Sequence, residues 1–595
     1  METTKMIKLT VNNMPVEVAE GTTILDAAKK LKYTIPTLCY HPDLCVAGNC
    51  RVCVVELKGS RTLVASCAMP VAEGMEINTN SLKVRKARKD IIELLLSEHS
   101  MNCTKCYKNG CCELQNLSRE YLTESDRFSD VSIKKPTDKS SPAIQKDDSK
   151  CIKCQRCVRT CAELQHVSAF TMAHKGDKTA VETFLDLPIN DVVCTNCGQC
   201  TNRCPTGALT ERHYIEEVWE ALGDPTKHVV VQTAPAVRVA LGELLGFDYG
   251  ERVTGKMVTA LRRMGFNSVF DTNFTADLTI MEEGNELLVR LTKALVKKEK
   301  VSLPMITSCS PGWIKYIEHE FPTLLDHLST CKSPQQMFGV LAKTYYAQSA
   351  KVDPANMIVV SVMPCTAKKF EAMRPEMNSS GYRDVDYVLT TRELGLMIEQ
   401  AGIDFSTLDE SDCDSMMGKH SGAAVIFGAT GGVMEAALRT AYQVVTGRDV
   451  PFKNLEILPV RGLEGVKEAT IKLEDCLPEW KFLNGVEFKV AIANGLANAR
   501  KVMQKIEKGE SPYHFIEIMA CPGGCLGGGG QPIPTNKDIR TKRMNAIYAE
   551  DRGLPIRKSH DNPEIKKIYA DFLKAPLGHK SHELLHTTYT KREKY

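Results

Sequence analysis

A cysteine spacing that occurs twice constrains this chain more than any other feature. The spacing C-x2-C-x2-C-x3-C is present at Cys151, Cys154, Cys157 and Cys161, and again at Cys194, Cys197, Cys200 and Cys204. Soft thiolate ligands at such short intervals select iron–sulfur clusters or zinc. Seventeen of the 24 cysteines lie before residue 205, and the N-terminus METTKMIKLTVNN has no apolar signal segment. The pattern therefore indicates metal binding rather than disulfide bonds.

The duplicated run has the spacing of bacterial two-cluster ferredoxins, in which the fourth cysteine of each run binds the other cluster. One [4Fe–4S] cluster is predicted on Cys151, Cys154, Cys157 and Cys204, and a second on Cys194, Cys197, Cys200 and Cys161. Pro205 follows its cysteine as the pattern requires, whereas Ala162 departs from it. We expect residues 149–213 to form a ferredoxin-like domain.

Length and charge set the broad class of protein. At 595 residues the chain is long enough for several domains, and its net charge of +3 does not indicate nucleic-acid binding. We find no apolar run of the ~18 residues that a membrane span needs. We expect a cytoplasmic, multidomain protein that is α+β in its cysteine-rich first third and α/β in the remainder.

Residues 1–82 are predicted to form a small β-rich domain. MIKLTVNNMPVEVAE alternates like a hairpin around Asn12-Asn13, and GTTILDAAKKLKY is typical of a helix with a threonine cap. Four thiolates here fit a [2Fe–2S] cluster, with zinc as the alternative. Cys45, Cys50 and Cys53 match the plant ferredoxin spacing. The element order resembles the β-grasp domain of hydrogenases and of the large iron–sulfur subunit of complex I, and this resemblance implies instead the ligands Cys39, Cys50, Cys53 and Cys67.

Residues 83–122 combine a helical pattern, VRKARKDIIELLLSEHS, with a short ligand-rich segment. The segment contains His99, Cys103, Cys106 and Cys112. One imidazole and three thiolates suit tetrahedral zinc. The segment also resembles the one-histidine, three-cysteine [4Fe–4S] segment of the same two families, and we prefer that interpretation. Residues 123–148 are polar, contain two prolines and are predicted to be a linker.

The sequence from residue 214 alternates between strand-like and helix-like runs. HVVVQTAP, VSLPMITS, NMIVVSVMP and AAVIFGAT are predicted strands, and GKMVTALRRMGF is a predicted helix. This order predicts α/β layers with parallel strands, whose ligands lie at the carboxyl ends of the strands. Cys309 and Cys365 each follow one of these strands.

Three further stretches carry a specific resemblance. They are Thr307-Ser-Cys309-Ser310-Pro-Gly-Trp313, Met363-Pro-Cys365-Thr-Ala-Lys368-Lys-Phe-Glu371 and Glu517-x-Met519-x-Cys521-x2-Gly-Cys525-x2-Gly. They resemble the motifs of [FeFe]-hydrogenases, and the similarity extends over essentially the whole chain. The resemblance implies that residues 214–536 form a catalytic domain and that residues 537–595 form helices similar to the small subunit of that family.

The resemblance also implies the catalytic cofactor. In that family the H-cluster joins a [4Fe–4S] cubane, through one shared thiolate, to a diiron centre with CO, cyanide and a dithiolate bridge. Cys365, Cys521 and Cys525 match the cubane ligands, and Cys525 matches the shared thiolate. Lys368 is expected to donate a hydrogen bond to a cyanide. Met363 and Met519 are expected to pack against the diiron ligands.

One position departs from the family pattern. The family usually has Thr-Ser-Cys-Cys-Pro, in which the first cysteine relays protons and the second binds the cubane, but here the second position is Ser310. Serine oxygen is a hard ligand that suits an iron–sulfur cluster poorly. We therefore expect Cys309 to bind the cubane. The alternatives are a Ser310 alkoxide ligand or an altered coordination of the cubane. If Cys309 does bind the cubane, Ser310 or a water replaces it in the proton relay.

The resemblance further implies a route for protons. Its positions in this chain are Cys309, Ser329, Glu286 and Glu283, with Arg290 paired to the outer carboxylate. Glu283 and Glu286 are three residues apart on a predicted helix and so share one face. Without the resemblance, these carboxylates would be interpreted as a solvated acidic helix face.

The expected reaction is the reversible oxidation of H2 to protons and electrons. The electrons would pass through one [2Fe–2S] and three accessory [4Fe–4S] clusters. The chain resembles most the catalytic subunit of multimeric, NAD(P)-linked or electron-bifurcating hydrogenases, which requires flavin- and NAD(P)-binding partner subunits and maturases. The alternatives are a monomeric ferredoxin-dependent hydrogenase and a non-catalytic electron-transfer, sensory or cluster-assembly relative.

Some conspicuous residues have no predicted role in the reaction. The glycines of GATGGVMEAAL lack the dinucleotide spacing and predict a tight turn near the cluster. The remaining cysteines are interpreted as ordinary thiols: Cys45, Cys111, Cys331, Cys413 and Cys476. The isolated histidines are interpreted as surface or core residues: His420, His514, His579, His582 and His586.

Overall fold

A computed structural model of the chain describes residues 5–124 and 127–595. Residues 1–4 of the predicted first domain and residues 125–126 of the predicted linker lie outside the described residues. Among the helices of the described part, none is both long enough and apolar enough to cross a membrane.

The first domain is a mixed sheet with one helix against it. The elements are β1 (Met6–Val11), β2 (Met14–Ala19), α1 (Ile24–Lys30), β3 (Val54–Leu57), β4 (Val64–Ala65) and β5 (Glu76–Asn78). The strand order is β2-β1-β5-β3-β4. The predicted hairpin is confirmed, because Asn12 and Asn13 both adopt the positive φ that its turn requires. Thr23 caps α1 by accepting a hydrogen bond from the Asp26 amide, so the predicted threonine cap is also confirmed.

Two helices frame the histidine-containing segment. They are α2 (Leu82–Ser97), which confirms the predicted helix, and α3 (Glu113–Tyr121). Ser81 caps α2 through the Val84 amide. Because α2 ends just before His99 and α3 starts just after Cys112, the four candidate ligands lie in the connection between them.

The ferredoxin-like unit is built around two short helices. Its elements are β6 (Ile144–Lys146), α4 (Arg156–Arg159), β7 (Thr171–Ala173), β8 (Ala180–Glu182), α5 (Gln199–Arg203) and β9 (Leu209–Glu211). Gln155 and Gly198 occupy equivalent places in the two cysteine runs and both have positive φ. Strand β6 pairs with β9, so the last part of the predicted linker packs with this unit.

The part of the chain after residue 213 contains two separate sheets. Their strands are β10 (His228–Thr233), β11 (Ser268–Asp271), β12 (Met305–Ile306), β13 (Met357–Met363), β14 (Tyr387–Thr390), β15 (Val466–Lys472), β16 (Glu487–Asn494) and β17 (Phe515–Met519). The first sheet has the order β11-β10-β13-β14, and its strands are all parallel, as predicted. The second has the order β12-β17-β16-β15, with β15 antiparallel.

Helices flank both sheets. They are α6 (Ile215–Gly223), α7 (Thr254–Arg263), α8 (Thr272–Leu295), α9 (Pro311–Glu320), α10 (Pro334–Leu341), α11 (Ala347–Ala350), α12 (Ala367–Ala372), α13 (Thr391–Gln400), α14 (Gly422–Val425), α15 (Gly432–Thr446) and α16 (Leu496–Glu507). The predicted helix GKMVTALRRMGF corresponds to α7. The predicted strand AAVIFGAT is wrong, because α14 and a following 3-10 turn occupy it. This segment is buried on all sides, and an apolar run of that kind does not distinguish a strand from a helix.

The C-terminal segment wraps around the catalytic sheets, as predicted. Its helices are α17 (Lys537–Gly553), α18 (Pro563–Ile568) and α19 (His579–Leu585). The Tyr569 hydroxyl donates to Glu282 on α8 at 2.6 Å. Immediately after α19, His586 forms a β-bridge with Cys331. The end of the chain therefore packs against the helix that carries the predicted proton route.

Candidate active site and accessory cluster sites

A largely apolar cavity lies where the carboxyl ends of the two sheets meet. Three of its cysteines follow strands: Cys309 after β12, Cys365 after β13 and Cys521 after β17. Cys525 lines the same cavity from the next turn. The strand-end rule predicted this position for Cys309 and Cys365, and the structure adds Cys521 after β17, a strand that was not predicted. The three strands belong to two sheets rather than one.

Close backbone packing holds the Cys521–Cys525 loop in place. Gly524 has φ of +79°, and a Cβ there would lie 2.7 Å from the Thr430 amide nitrogen. A Cβ on Gly528 would lie 2.1 Å from the Pro364 carbonyl oxygen. Both positions therefore require glycine. The contact with Thr430 confirms that GATGGVMEAAL forms a turn next to this loop.

Lys368, Met363 and Met519 line the cavity as expected. The Lys368 ammonium donates to the Cys309 carbonyl at 3.1 Å and pairs with Glu371 at 2.8 Å. Gln335 also donates to Glu371, at 3.0 Å. No role was predicted from the sequence for Glu371 or Gln335. The three-residue spacing of Lys368 and Glu371 on α12 could have indicated their pairing.

Glu517 is a third residue whose contribution was not predicted from the sequence. It is fully buried on β17, and its carboxylate accepts hydrogen bonds from the amides of Gly431 and Met434, both at 2.7 Å. These amides belong to the turn and first residues of α15, where a negative charge is stabilised by the helix N-terminus. Glu517 therefore fixes the glycine turn next to the Cys521–Cys525 loop.

Cys309 and Ser310 both face the cavity, with different surroundings. The Ser310 hydroxyl oxygen accepts a hydrogen bond from the Ala520 amide at 3.1 Å, next to Cys521. Burial, and then the negative charge of Glu283, raise the pKa of the Cys309 thiol well above its usual value. Cys309 therefore lies on the side of the predicted proton route. Which of the two side chains binds a cluster stays a prediction.

The residues of the predicted proton route lie together on and beside α8. Arg290 pairs with Glu286 at 2.7 Å, and the Ser329 hydroxyl donates to Glu286 at 2.8 Å. Glu283 is buried, and within the described residues neither of its carboxylate oxygens has a hydrogen-bond partner. Burial, and then the charge of Glu286, raise the pKa of Glu283 to about 8. A carboxyl with that pKa exchanges protons near neutral pH.

The ferredoxin-like unit contains two further cavities, and each is lined by four of its cysteines. One is lined by Cys151, Cys154, Cys157 and Cys204. The other is lined by Cys161, Cys194, Cys197 and Cys200. The structure thus brings together the two crossed sets that the duplicated spacing predicts.

In the first domain, four thiols lie near one another and one points elsewhere. The Cys53 and Cys67 sulfurs are 3.4 Å apart, and the Cys39 amide lies 3.4 Å from the Cys50 sulfur. Cys45 is exposed, and its thiol donates to Glu163 at 2.7 Å. This arrangement favours the set with Cys39 over the set with Cys45.

The histidine segment has a ring nitrogen free for a metal. His99 is buried, and its Nδ1 lies 3.0 Å from the Lys150 carbonyl oxygen. Donation from Nδ1 leaves Nε2 as the unprotonated nitrogen, which is the form that binds metals. Cys112 is buried, whereas Cys103 and Cys106 are partly exposed.

Family comparisons match this geometry domain by domain. Residues 227–529 match the family "Iron only hydrogenase large subunit, C-terminal domain", and residues 537–592 match "Iron hydrogenase small subunit". Residues 4–81 match a "2Fe-2S iron-sulfur cluster binding domain". Residues 88–127 match the "NADH-ubiquinone oxidoreductase-G iron-sulfur binding region", and residues 141–210 match the "NADH-quinone oxidoreductase subunit 3, ferredoxin-like domain".

Similar proteins extend over the same length. The NADP-reducing hydrogenase subunit HndD of Solidesulfovibrio fructosivorans is 49% identical, with 99% of this chain and 100% of the relative covered. Iron hydrogenase 1 of Clostridium pasteurianum is 40% identical, with 98% and 100% covered. The chain belongs to the [FeFe]-hydrogenase family. One similar solved structure is that of the [FeFe]-hydrogenase HydA1 from Chlamydomonas reinhardtii, which is 44% identical in sequence. The match covers 64% of this chain and 100% of that chain, with a TM-score of 0.57.

In this [FeFe]-hydrogenase, one ferredoxin cavity contacts the active-site loops directly. Side chains of α5 reach the glycine loop, with Gln199 donating to the Gly527 carbonyl at 2.8 Å and Asn202 to the Gly528 carbonyl at 2.9 Å. From the other side, the Thr366 hydroxyl donates to the Asn196 carbonyl at 2.7 Å. The Cys161/Cys194/Cys197/Cys200 cavity is therefore next to the active site.

The two remaining candidate sites of the hydrogenase, the Cys39–Cys67 site and the His99 segment, adjoin the Cys151/Cys154/Cys157/Cys204 cavity. Arg159, on α4, donates to the Cys39 carbonyl at 2.5 Å, and Asn49 donates to the Lys153 carbonyl at 3.2 Å. Glu113, next to Cys112, pairs with Arg156 at 2.6 Å. The Cys151/Cys154/Cys157/Cys204 cavity is thus adjacent to both of these sites.

Proposed function

We propose that the central cavity holds the H-cluster and that the chain oxidises H2 reversibly there. The observation that carries this proposal is the convergence of Cys365, Cys521 and Cys525 on one cavity with Lys368 beside them. Thiolates are the donors that a [4Fe–4S] cubane needs. The apolar walls, which include Met363 and Met519, suit a diiron unit with few protein bonds. When bound, the H-cluster supplies the redox chemistry that splits H2.

The side chains around the cavity position the cofactor and move protons. In this proposal Cys365, Cys521 and Cys525 would hold the cofactor through their thiolates. Lys368, oriented by Glu371, donates to a cyanide. Protons pass between the cavity and the bulk solvent through Glu283, Ser329 and Glu286, and Ser310 or a water takes the inner position of the route if Cys309 binds the cubane. The Glu283 oxygens have no hydrogen-bond partner among the described residues, so they are available to accept a proton from the inner end of the route.

We further propose Cys309 as the fourth ligand of the cubane. Sulfur is the softer donor, and the Ser310 oxygen already accepts the Ala520 amide. Under this proposal Cys309→Ala removes the cubane signal from electron paramagnetic resonance, whereas Ser310→Ala leaves it. The reverse outcome makes Ser310 the ligand and leaves Cys309 as a pure proton relay.

The accessory sites are proposed to hold one [2Fe–2S] and three [4Fe–4S] clusters. The contacts between the sites support the following order. The Cys161/Cys194/Cys197/Cys200 cluster is next to the cubane, the Cys151/Cys154/Cys157/Cys204 cluster comes next, and the [2Fe–2S] and His99 sites are two outer branches. Iron quantitation and paramagnetic resonance of the purified protein test these counts.

The proposed partners are flavin- and NAD(P)-binding subunits that exchange electrons with the outer clusters. The support is the end-to-end similarity to an NADP-reducing hydrogenase subunit at 49% identity. The alternative, a monomeric enzyme that uses ferredoxin, is supported by the equally complete match at 40% identity to Iron hydrogenase 1. Copurification of flavin-containing subunits from the native host separates the two. Cytoplasmic location and a need for maturases stay predictions.

The experiment that tests the main proposal is H2 uptake with methyl viologen by protein produced together with maturases. We expect turnover, and infrared bands in the CO and cyanide region. Cys525→Ser is the matched negative control. A fully iron-loaded protein without turnover and without these bands would contradict the proposal.

A further inference from the structure

A pair of histidines lies beside the proton route at the end of helix α19. His582, on α19, is exposed, whereas His586, just after its end, is buried. Their rings lie 4.3 Å apart between centroids. The exposed imidazole therefore lies beside the buried one, and a single water between their ring nitrogens would be sufficient to carry a proton from one ring to the other.

His586 reaches the acidic face of α8. Its Nε2 lies 3.2 Å from a carboxylate oxygen of Glu282, and its Nδ1 lies 2.8 Å from the Thr330 hydroxyl. A ring nitrogen of His586, the Cys331 sulfur and a carboxylate oxygen of Glu286 all lie within 4.8 Å of one another. One water molecule is sufficient to bridge His586 and Glu286 over that distance.

The proton route needs a group that carries protons between Glu286 and the solvent. The side chains of Glu286 and Arg290 are only 11% and 12% exposed. Arg290 fixes Glu286 in place but does not give up its proton at neutral pH, so it does not pass protons on. Imidazole gains and loses protons in the neutral range. Burial, and then the charge of His586, lower the pKa of His582, which favours release of its proton to solvent.

We propose that His582 and His586 form a branch through which protons travel between the surface and Glu286. This inference rests on the proposed function. Every step moves one proton, breaking one N–H or O–H bond and forming another, and nothing is oxidised or reduced along the branch. Each H2 oxidised at the active site releases two protons, which leave one after the other. The titratable and charged groups facing the pair are Glu282, Glu286, Arg290, Cys331 and Tyr569.

The test uses the matured holoenzyme with His582→Gln, His586→Gln and the double change. Glutamine keeps much of the size and hydrogen bonding of histidine but does not carry a proton at neutral pH. His579→Gln is the control, because His579 is exposed on the same helix. H2 oxidation and evolution are measured from acid to alkaline pH at low and high buffer concentration.

We expect His582→Gln to slow turnover about tenfold at low buffer concentration, less than the ~10²–10⁴-fold typical of proton transfer at a reacting centre. Added imidazole buffer should restore the rate, because it replaces the exposed relay. The double change should be no slower than His586→Gln alone, since both act in series. His579→Gln should match the unchanged enzyme.

The proposed branch is wrong if the His582 and His586 variants behave like His579→Gln at every pH and buffer concentration. If Glu286→Gln nevertheless stops turnover, the proposed function is unaffected by that result. If Glu286→Gln leaves turnover unchanged, the proton route of the proposed function fails, and the branch with it. Iron content and melting temperature monitor folding of the His586 variant. Because His582 is exposed, its variant alone suffices to overturn the branch.

Discussion

The accessory-cluster region and the catalytic domain of this hydrogenase assemble their metal sites in different ways. In the accessory region each ligand set comes from a short stretch or from two neighbouring runs, as in Cys39–Cys67 and Cys151–Cys204. In the catalytic domain the cavity collects cysteines from residue 309 to residue 525, carried by two sheets. Local loops are sufficient for the first kind of site, whereas the second forms only when both sheets are packed.

This difference predicts which metal clusters are lost when a residue at one site is substituted. A change at an accessory site should remove one cluster and leave the others, because each site has its own local scaffold. A change in the catalytic cavity should remove the reaction without affecting the N-terminal clusters. Four changes to this chain test that contrast, in order of decreasing expected effect.

The largest effect is expected from Cys525→Ser. Loss of the shared thiolate should lower H2 uptake more than about 10⁴-fold, equivalent to roughly 5.5 kcal/mol of barrier. The accessory-cluster signals should persist, as measured by paramagnetic resonance and iron content. Cys476→Ser, at a thiol outside the cavity, is the control and should retain full activity. Loss of the accessory clusters in Cys525→Ser would mean that the two regions fold as one unit.

Glu283→Gln should lower turnover about 10²–10⁴-fold, because it removes a buried proton carrier. With a pKa of about 8, Glu283 holds its proton below that pH and releases it above. H2 oxidation, which needs an acceptor, should therefore rise as pH rises through about 8, and H2 evolution should fall. Glu283→Gln should abolish both trends in rate–pH profiles, and the exposed Glu299→Gln should preserve them.

The same pKa has a consequence for stability. Burial raises the pKa of Glu283 from 4.5 in the unfolded chain to about 8 in the fold, so the folded state binds this proton more tightly. Stability that Glu283 contributes at low pH should be lost as pH rises from about 4.5 to about 8. Glu283→Gln should remove this slope from melting temperatures. A slope of the opposite sign would contradict the buried, unpartnered environment.

An intermediate effect is expected within the electron relay. Cys200→Ser, at the cavity that contacts the active site, should reduce electron transfer to partner proteins at least about tenfold, or roughly 1.4 kcal/mol of barrier. Cys106→Ser, in the outer His99 branch, should reduce it less, because the [2Fe–2S] branch remains. Both are measured by partner-linked H2 oxidation. Equal losses would contradict the branched order of the clusters.

The smallest effect is expected from Thr23→Ala in the first domain. Loss of the cap on α1 should destabilise that domain by about 1 kcal/mol. Unfolding followed through the [2Fe–2S] absorption should shift, whereas H2 uptake with methyl viologen should not change. A parallel loss of H2 uptake would show that the first domain supports the catalytic cavity.

Much of the molecule follows from local pattern. Asn12-Asn13 specified the first hairpin, and the apolar periodicity before His99 specified α2, because turn chemistry and helix spacing act over a few residues. AAVIFGAT was predicted as a strand and is helical, because its surroundings bury every face and leave no periodic signal. The roles of Glu371 and Glu517 depend on partners that the motif itself does not identify.

The sequence by itself determined which cysteines are candidate ligands and how they group locally, because thiolate spacing and motif chemistry are properties of short stretches. Only the tertiary structure decided which ferredoxin site contacts the active site, through Gln199 and Asn202. It also brought His586, close to the end of the chain, next to Glu282. Such contacts arise from the packing of elements distant in sequence, and neither hydrophobic period nor ligand spacing encodes which distant surfaces meet.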